Sequence, residues 1–209
     1  MAPNQQRRHS STIGSNVSTF RTRSHRIAAA NPNRRGGRGG LACARIGENR
    51  CTEAAWQAIF ACAVRPIREV FCVSRSTVKF EKFATTVNRH APGIRITQCH
   101  DASELLARTA LVVTATTSAE PVLPDESNLL VNKHFISVGS FSPTMQELPD
   151  SVYRLAGLLA VDSQHAGQEV GDVINPIRKG IIRESDVFSI AECVTGKRTL
   201  DSAASEERS

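Results

Sequence analysis

The sequence predicts an α/β fold built on a doubly wound parallel sheet. Three observations predict it: short runs of continuous apolar residues recur along the chain, segments of helical period separate them, and small or turn-forming residues mark the junctions. Strands that are apolar without alternation are buried on both faces, which calls for helices on both sides of a parallel sheet.

The elements follow in order. Ala54–Ala63 (AAWQAIFACA) reads as a buried helix and Glu69–Val73 (EVFCV) as a short apolar strand. In Thr77–Asn88 the apolar Val78, Phe80, Phe83, Ala84 and Val87 fall at largely helical spacing. Arg95–Gln98 is a weak strand after the Pro92–Gly93 turn, and Ala102–Ala107 a short helix. Leu111–Val113, Phe135–Val138 and Gly157–Val161 complete the apolar strands.

Residues 1–50 are different material. They hold ten Arg and no Lys against the single acid Glu48, a balance of +9, so that the formal +6 of the whole chain leaves −3 for the remainder. Such a stretch, poor in apolar residues, cannot bury enough surface to offset the entropy of ordering, and it reads as a disordered basic tail. The predicted organisation is therefore a tail over 1–50, the α/β domain over 51–200 and a polar tail over 201–209. A mildly acidic folded part argues against nucleic acid as a partner, and Arg34–Gly40 reads as a solvated charge run. No stretch nears the ~20 apolar residues of a membrane span. Localisation reads as cytoplasmic. A mitochondrial targeting peptide is the alternative for the Arg/Ser-rich start, although Ile13, Val17, Phe20 and Ile27 are too sparse for an amphipathic stripe.

Six scattered cysteines form no CxxC pair and no metal-ligand spacing, and Cys62, Cys72 and Cys193 read as small buried hydrophobes.

Ligands of such sheets sit outside the carboxyl ends of the strands. After Val73 come Ser74, Arg75 and Ser76, where a site for the plain ribose ordinarily carries an acid. An Arg between hydroxyl residues offers a charge-assisted fork to a 2′-phosphate, with Lys79 one helical turn on. From position alone, an exposed surface Arg is an equal reading. Leu111–Val113 runs into Thr114, Ala115, Thr116, Thr117 and Ser118, small residues that admit a ligand to the backbone or simply form a polar loop. Phe135–Val138 ends at Gly139, which permits a close backbone contact or a positive φ. Asp162, Glu169 and Asp172 are spaced like ordinary surface carboxylates, and His134 and His165 have no evident partner.

The runs LVVTATTSAEPVL, HFISVGSFSPTMQEL, LAVDSQHAGQEVGDV and SIAECVTGKR, in that order, resemble the ornithine cyclodeaminase/mu-crystallin family over about Ala54 to Arg198. The resemblance implies a central Rossmann domain for a nicotinamide dinucleotide and a separate domain for substrate and dimerisation. It implies homodimers built from N- and C-terminal segments that nothing here matches. By that resemblance Ser74, Arg75, Ser76 and Lys79 surround the adenosine 2′-phosphate, Thr114, Thr116 and Thr117 lie along the dinucleotide, and Val138 and Gly139 line the nicotinamide side. Ser74-Arg75-Ser76 is similar to the Asn-Arg-Thr of NADPH-using ketimine reductases, so NADP(H) is favoured over NAD(H). The implied substrate is a small imino or amino acid.

Two departures refine this reading. Cyclodeaminases carry an Asp in the loop where this chain has Phe141, followed by Ser142-Pro143, which turns the expectation toward reduction of cyclic imino acids. Ornithine cyclodeamination and a non-catalytic cofactor-binding role are the alternatives, and no residue is assigned a catalytic role. The family's Gly-x-Gly-x-Gln turn is replaced by Gly47-Glu48-Asn49-Arg50-Cys51-Thr52-Glu53, with no apolar strand before it. Codons possible for Asn49 to Glu53, read one base later, spell Thr-Gly-Ala-Gln, so a displaced reading frame is expected there.

Overall fold

The computed structural model of the protein describes residues 18–21, 40–44, 51–156, 159–163 and 165–198. Within them, β1 (Ser18–Arg21) and β2 (Gly40–Ala44) precede α1 (Cys51–Val64), β3 (Glu69–Cys72), α2 (Thr77–His90), β4 (Arg95–Gln98), α3 (Ala102–Arg108) and β5 (Leu111–Thr114). The chain continues through α4 (Ser127–Leu130), β6 (His134–Ser137), α5 (Asp150–Ala156), β7 (Leu159–Val161), α6 (Ala166–Glu169), α7 (Gly171–Arg178), β8 (Val187–Ser189) and α8 (Ile190–Val194).

One sheet takes all the strands, in the order β4-β3-β2-β5-β6-β1-β7-β8. From β4 to β6 every pairing is parallel, with Leu41 opposite both Val70 and Leu111, and Thr114 opposite Ser137. The chain steps outward one way from β2 to β4 and the other way from β5 to β6. The boundary between β2 and β5 is therefore the topological switch point of a doubly wound sheet.

Alternation within each strand builds a core on each face. Val70 and Cys72 join Leu41, Ala55, Ala58, Phe83, Val87 and Val113 beneath α1 and α2. Phe71 and Val112, one residue out of step, join Leu105, Leu106, Phe135, Leu148, Val152 and Tyr153 on the other face. Side chains such as Phe83, Leu105 and Phe135 are wholly buried, and each contributes roughly 1.5–3 kcal/mol by leaving water. The helix starts are capped as their sequences suggest. Asp101 accepts from the Glu104 amide at 2.9 Å to open α3, and Ser76 accepts from the Lys79 amide at 3.4 Å to open α2.

Several expectations are corrected. Gly40–Ala44, which composition assigns to the tail, is a central strand between β3 and β5, so an apolar strand does precede Gly47. Pairing with its neighbours draws these five residues into the sheet, although they adjoin an Arg/Gly run. The sheet is not wholly parallel: β1 runs antiparallel to both β6 and β7. The rest of residues 1–50, and 201–209, lie outside the described residues. The helix predicted as buried shows one open face, with Trp56 and Phe60 exposed and their rings 6.0 Å apart, and Val64 beyond them. Of the three cysteines read as buried, Cys72 is buried while Cys62 and Cys193 are half-buried.

Candidate functional site

The carboxyl edge of the parallel strands brings together the tips of β3, β5 and β6. At the β3 tip the loop is held by its own hydroxyls. Ser74 Oγ donates to the Ser76 carbonyl at 2.9 Å, the Ser76 amide donates back to Ser74 Oγ at 3.3 Å, and Gln98 Nε2 donates to the Ser74 carbonyl at 3.0 Å. Ser76 Oγ is the cap of α2, so both serine hydroxyls serve the turn. The turn presents Arg75 to solvent, with no carboxylate partner among the described residues, and Lys79 sits half-buried one turn along α2.

The β5 and β6 tips are built differently from the expectation. Thr114 is wholly buried and its hydroxyl points inward, donating to Glu147 Oε2 at 3.0 Å. Val138 is also wholly buried, in the core beneath α1. Neither side chain reaches the surface, which corrects the expectation of an exposed Thr114 hydroxyl and leaves only the backbone of these two positions for a ligand. Thr116 is buried as well, its Oγ1 accepting from the Ser118 amide at 3.3 Å, while Thr117 is exposed. Gly139 is needed for close approach, but to the protein's own backbone. A Cβ there would overlap the carbonyl oxygen and amide nitrogen of Thr116 and come within 2.7 Å of the Glu147 carboxyl carbon. Its φ is not in the positive range.

Behind these tips lies a polar network that the sequence did not disclose. Glu147 and Asp172 are both wholly buried. Glu147 Oε1 accepts from the Thr116 amide, and its Oε2 takes the Thr114 hydroxyl, the Ser137 hydroxyl at 3.0 Å and the Gly139 amide at 2.7 Å. Asp172 Oδ1 accepts from the amides of Glu147 at 2.9 Å and Leu148 at 3.2 Å and from the Tyr153 hydroxyl at 2.9 Å, while Oδ2 meets Ser137 Oγ. The Asp172 amide in turn donates to Ser140 Oγ at 3.1 Å.

Burial, and then the neighbouring charge of Asp172, push the Glu147 carboxyl up to about 7. Burial raises Asp172 as well, and burial followed by the charge of Asp172 drives the Tyr153 hydroxyl well above its ordinary range. The titration belongs to the pair of carboxyls.

Asp172 thus corrects the surface-carboxylate reading. It stands three residues after the exposed Glu169, but α7 turns it into the interior. The one signal for Glu147 was an acid placed next to Leu148 in an otherwise strand-and-turn segment. Asp162 and Glu169 follow β7, His134 opens β6 and His165 precedes α6, none of them at the tips just described. Among the described residues no group of His, Cys, Asp and Glu is placed to hold a metal ion, and no helix is long and apolar enough to cross a membrane.

Comparison with known proteins agrees with this architecture. The family model of the ornithine cyclodeaminase/mu-crystallin family matches residues 43–204. A Delta(1)-pyrroline-2-carboxylate reductase of Bacillus cereus is 30% identical over 155 residues, covering 73% of this chain and 46% of that protein. One of Bacillus thuringiensis is 28% identical over 157 residues, with the same coverage of 73% and 46%. The chain therefore spans about half the length of the curated relatives it matches. Among solved structures, the Delta(1)-pyrroline-2-carboxylate reductase of Thermococcus litoralis, in complex with NADH and L-proline, superposes with a TM-score of 0.66 at 26% identity, over 78% of this chain and 50% of that one. A probable ornithine cyclodeaminase of Bordetella pertussis shares the fold, with a TM-score of 0.59 at 18% identity over 79% and 50%.

Proposed function

Since the chain belongs to the ornithine cyclodeaminase/mu-crystallin family, we propose that it supplies the dinucleotide-binding part of an NADP(H)-dependent reductase of cyclic imino acids of the pyrroline-2-carboxylate type. The observation that carries this is Arg75, presented to solvent at the β3 tip beside the switch point, where a fold selecting plain NAD(H) would carry an acid. Support for the substrate class comes from relatives named as Delta(1)-pyrroline-2-carboxylate reductases, and support for a nicotinamide cofactor from the complex with NADH.

The residues present fit the adenosine end of the cofactor. Arg75 and Lys79 would hold the 2′-phosphate by charge-assisted hydrogen bonds, and Ser74 and Ser76 hold the loop that aims Arg75. Thr117 is the exposed hydroxyl of the β5 tip and would lie along the dinucleotide. The Gly139 and Thr116 backbones, held by Glu147, would line the nicotinamide side. When bound, the reduced nicotinamide supplies hydride to the carbon of the C=N bond, and a proton must reach the nitrogen. Phe141, 43% exposed just past the β6 tip, stands where a cyclodeaminase has its acid, which favours imine reduction over deamination of ornithine. Cytoplasmic placement belongs to the same proposal.

Trp56 is the sole tryptophan and lies on the second turn of α1, the helix that follows β2. Titration of the chain with NADPH is expected to quench its fluorescence, with NADPH binding more tightly than NADH. Turnover of Δ1-pyrroline-2-carboxylate with NADPH is the second readout. Failure of both dinucleotides to bind overturns the reading.

A further inference from the structure

Ser137 stands between two buried carboxyl groups with one hydrogen to give. Its Oγ is 3.0 Å from Glu147 Oε2 and also meets Asp172 Oδ2. A hydroxyl donates a single hydrogen, so it points to one of these oxygens and turns a lone pair toward the other. With both carboxyls ionised, that second oxygen would face a lone pair with no hydrogen between them, inside a site closed to water. The contact is satisfied when one carboxyl is protonated and donates to Ser137.

The donor count says which one. Glu147 is met by the hydroxyls of Thr114 and Ser137 and by the amides of Thr116 and Gly139, enough to satisfy an ionised carboxylate. Asp172 gathers the Glu147 amide, the Leu148 amide and the Tyr153 hydroxyl all on Oδ1, which leaves Oδ2 facing Ser137 alone. That is the pattern of a carboxylic acid, its carbonyl oxygen accepting and its hydroxyl donating.

We propose that Glu147 is a positioning residue for the dinucleotide: Asp172 carries a proton at neutral pH, Glu147 is ionised, and it fixes the Thr116 and Gly139 amides at the carboxyl edge of the sheet. The ligand in this statement rests on the cofactor reading above; the shared proton does not.

Among the described residues, the groups facing the pair come from three elements and their loops. They are Thr114 and Thr116 from β5 and its loop, Ser137 and Gly139 from β6 and its tip, and Tyr153 from α5, on which Asp150 also acts. No ion pair to either carboxyl occurs among the described residues. With no cation among the described residues to absorb a second negative charge, loss of the proton sets two carboxylates against each other across one serine. The tips of β5 and β6 are what must yield.

Infrared spectroscopy of the unmodified chain at neutral pH is the first test. A carbonyl stretch of a neutral carboxyl group is expected, vanishing at alkaline pH and absent in Asp172→Asn, whose amide NH₂ donates to Ser137 as the acid does. Absence of that band in the unmodified chain overturns the proposal whatever the cofactor does.

The second test is NADPH affinity against pH. In the unmodified chain affinity is expected to fall as the band disappears, whereas in Asp172→Asn it is flat with pH. Glu147→Gln turns an NH₂ toward either Thr116 or Gly139, leaves that amide without an acceptor, and weakens NADPH by about tenfold or more. A pH dependence in Asp172→Asn equal to that of the unmodified chain overturns the positioning role. A neutral-carboxyl band together with no binding of either dinucleotide overturns the cofactor reading and upholds the shared proton.

Discussion

The Gly139 amide lies 2.7 Å from Oε2 of Glu147, and this hydrogen bond joins a buried acid pair to the edge of the sheet where a dinucleotide is proposed to lie. It belongs to a network that joins β5, the β6 tip and α7, because Glu147 also takes the Thr114 hydroxyl while Asp172, on α7, accepts from the backbone of Glu147 itself. The tips of β5 and β6 are thus set by side chains beneath them as well as by the Val138 amide, which donates to the Thr114 carbonyl at 2.9 Å.

Gly139→Ala is expected to be costly. The added methyl meets two backbone atoms of Thr116 and the Glu147 carboxyl carbon, none of which is the free end of a flexible side chain. Overpacking at a rigid point costs about 1–3 kcal/mol or more. Urea unfolding should show a lower midpoint and an unfolding free energy reduced by that amount. Gly167→Ala is the control, since nothing lies within 4 Å of a Cβ at Gly167. Equal midpoints for the two variants would refute the packing argument.

Stability should fall as pH rises from the ordinary carboxylate range to about 7. The folded pair holds one proton that the unfolded chain has already released, because burial raises both carboxyls and, with the charge of Asp172, pushes Glu147 up to about 7 from the ordinary 4.5; that shared proton is the one assigned to Asp172 above. Where the folded state binds more protons than the unfolded one, unfolding free energy decreases with pH. The contribution is therefore complete below the ordinary carboxylate range, shrinks through the window up to about 7 and is gone above it. Its size is on the order of 3 kcal/mol. Urea midpoints across that window should slope downward in the unmodified chain and flatten in Asp172→Asn, and a rising slope in the unmodified chain would contradict the buried proton.

Arg75→Ser should weaken NADPH and spare NADH. A charge-assisted hydrogen bond at a partly exposed site contributes about 1.5–3 kcal/mol, or roughly ten- to hundredfold in affinity. The fluorescence titration measures both dinucleotides, and high salt should narrow the gap between them in the unmodified chain. Equal weakening of NADPH and NADH would assign Arg75 a role other than reading the 2′-phosphate.

How much of this was legible depends on how far each signal reaches along the chain. EVFC and LVVT are apolar without alternation, so their burial on both faces could be read from a few adjacent residues. The Ser76 and Asp101 caps are likewise local, a hydroxyl or carboxylate and an amide within three residues. β2 could not be read that way, since GLACA is short, follows an Arg/Gly run and becomes a strand only through pairing with β3 and β5. α7 hides a helix behind Pro176. Glu147 and Asp172 are the furthest from legible, because an acid is buried only when donors from Thr114, Gly139 and Tyr153 converge on it, and that convergence is a property of the fold.

Tyr153→Phe reports on the charge of Asp172. The phenyl ring keeps its place among Leu148 and Val152, so the change removes only the hydroxyl that lies 2.9 Å from Oδ1. If Asp172 is a neutral acid, its carbonyl oxygen keeps two amide donors, and the loss should be about 1 kcal/mol, the value for an uncharged hydrogen bond. An ionised carboxylate would instead lose up to about 3 kcal/mol. Repeating the substitution in Asp172→Asn separates the cases, because the Asn carbonyl accepts from Tyr153 just as a neutral acid would. Near-additive urea midpoints are expected from the double-mutant cycle, and a coupling well above 1 kcal/mol would show that Asp172 carries a negative charge in the folded chain.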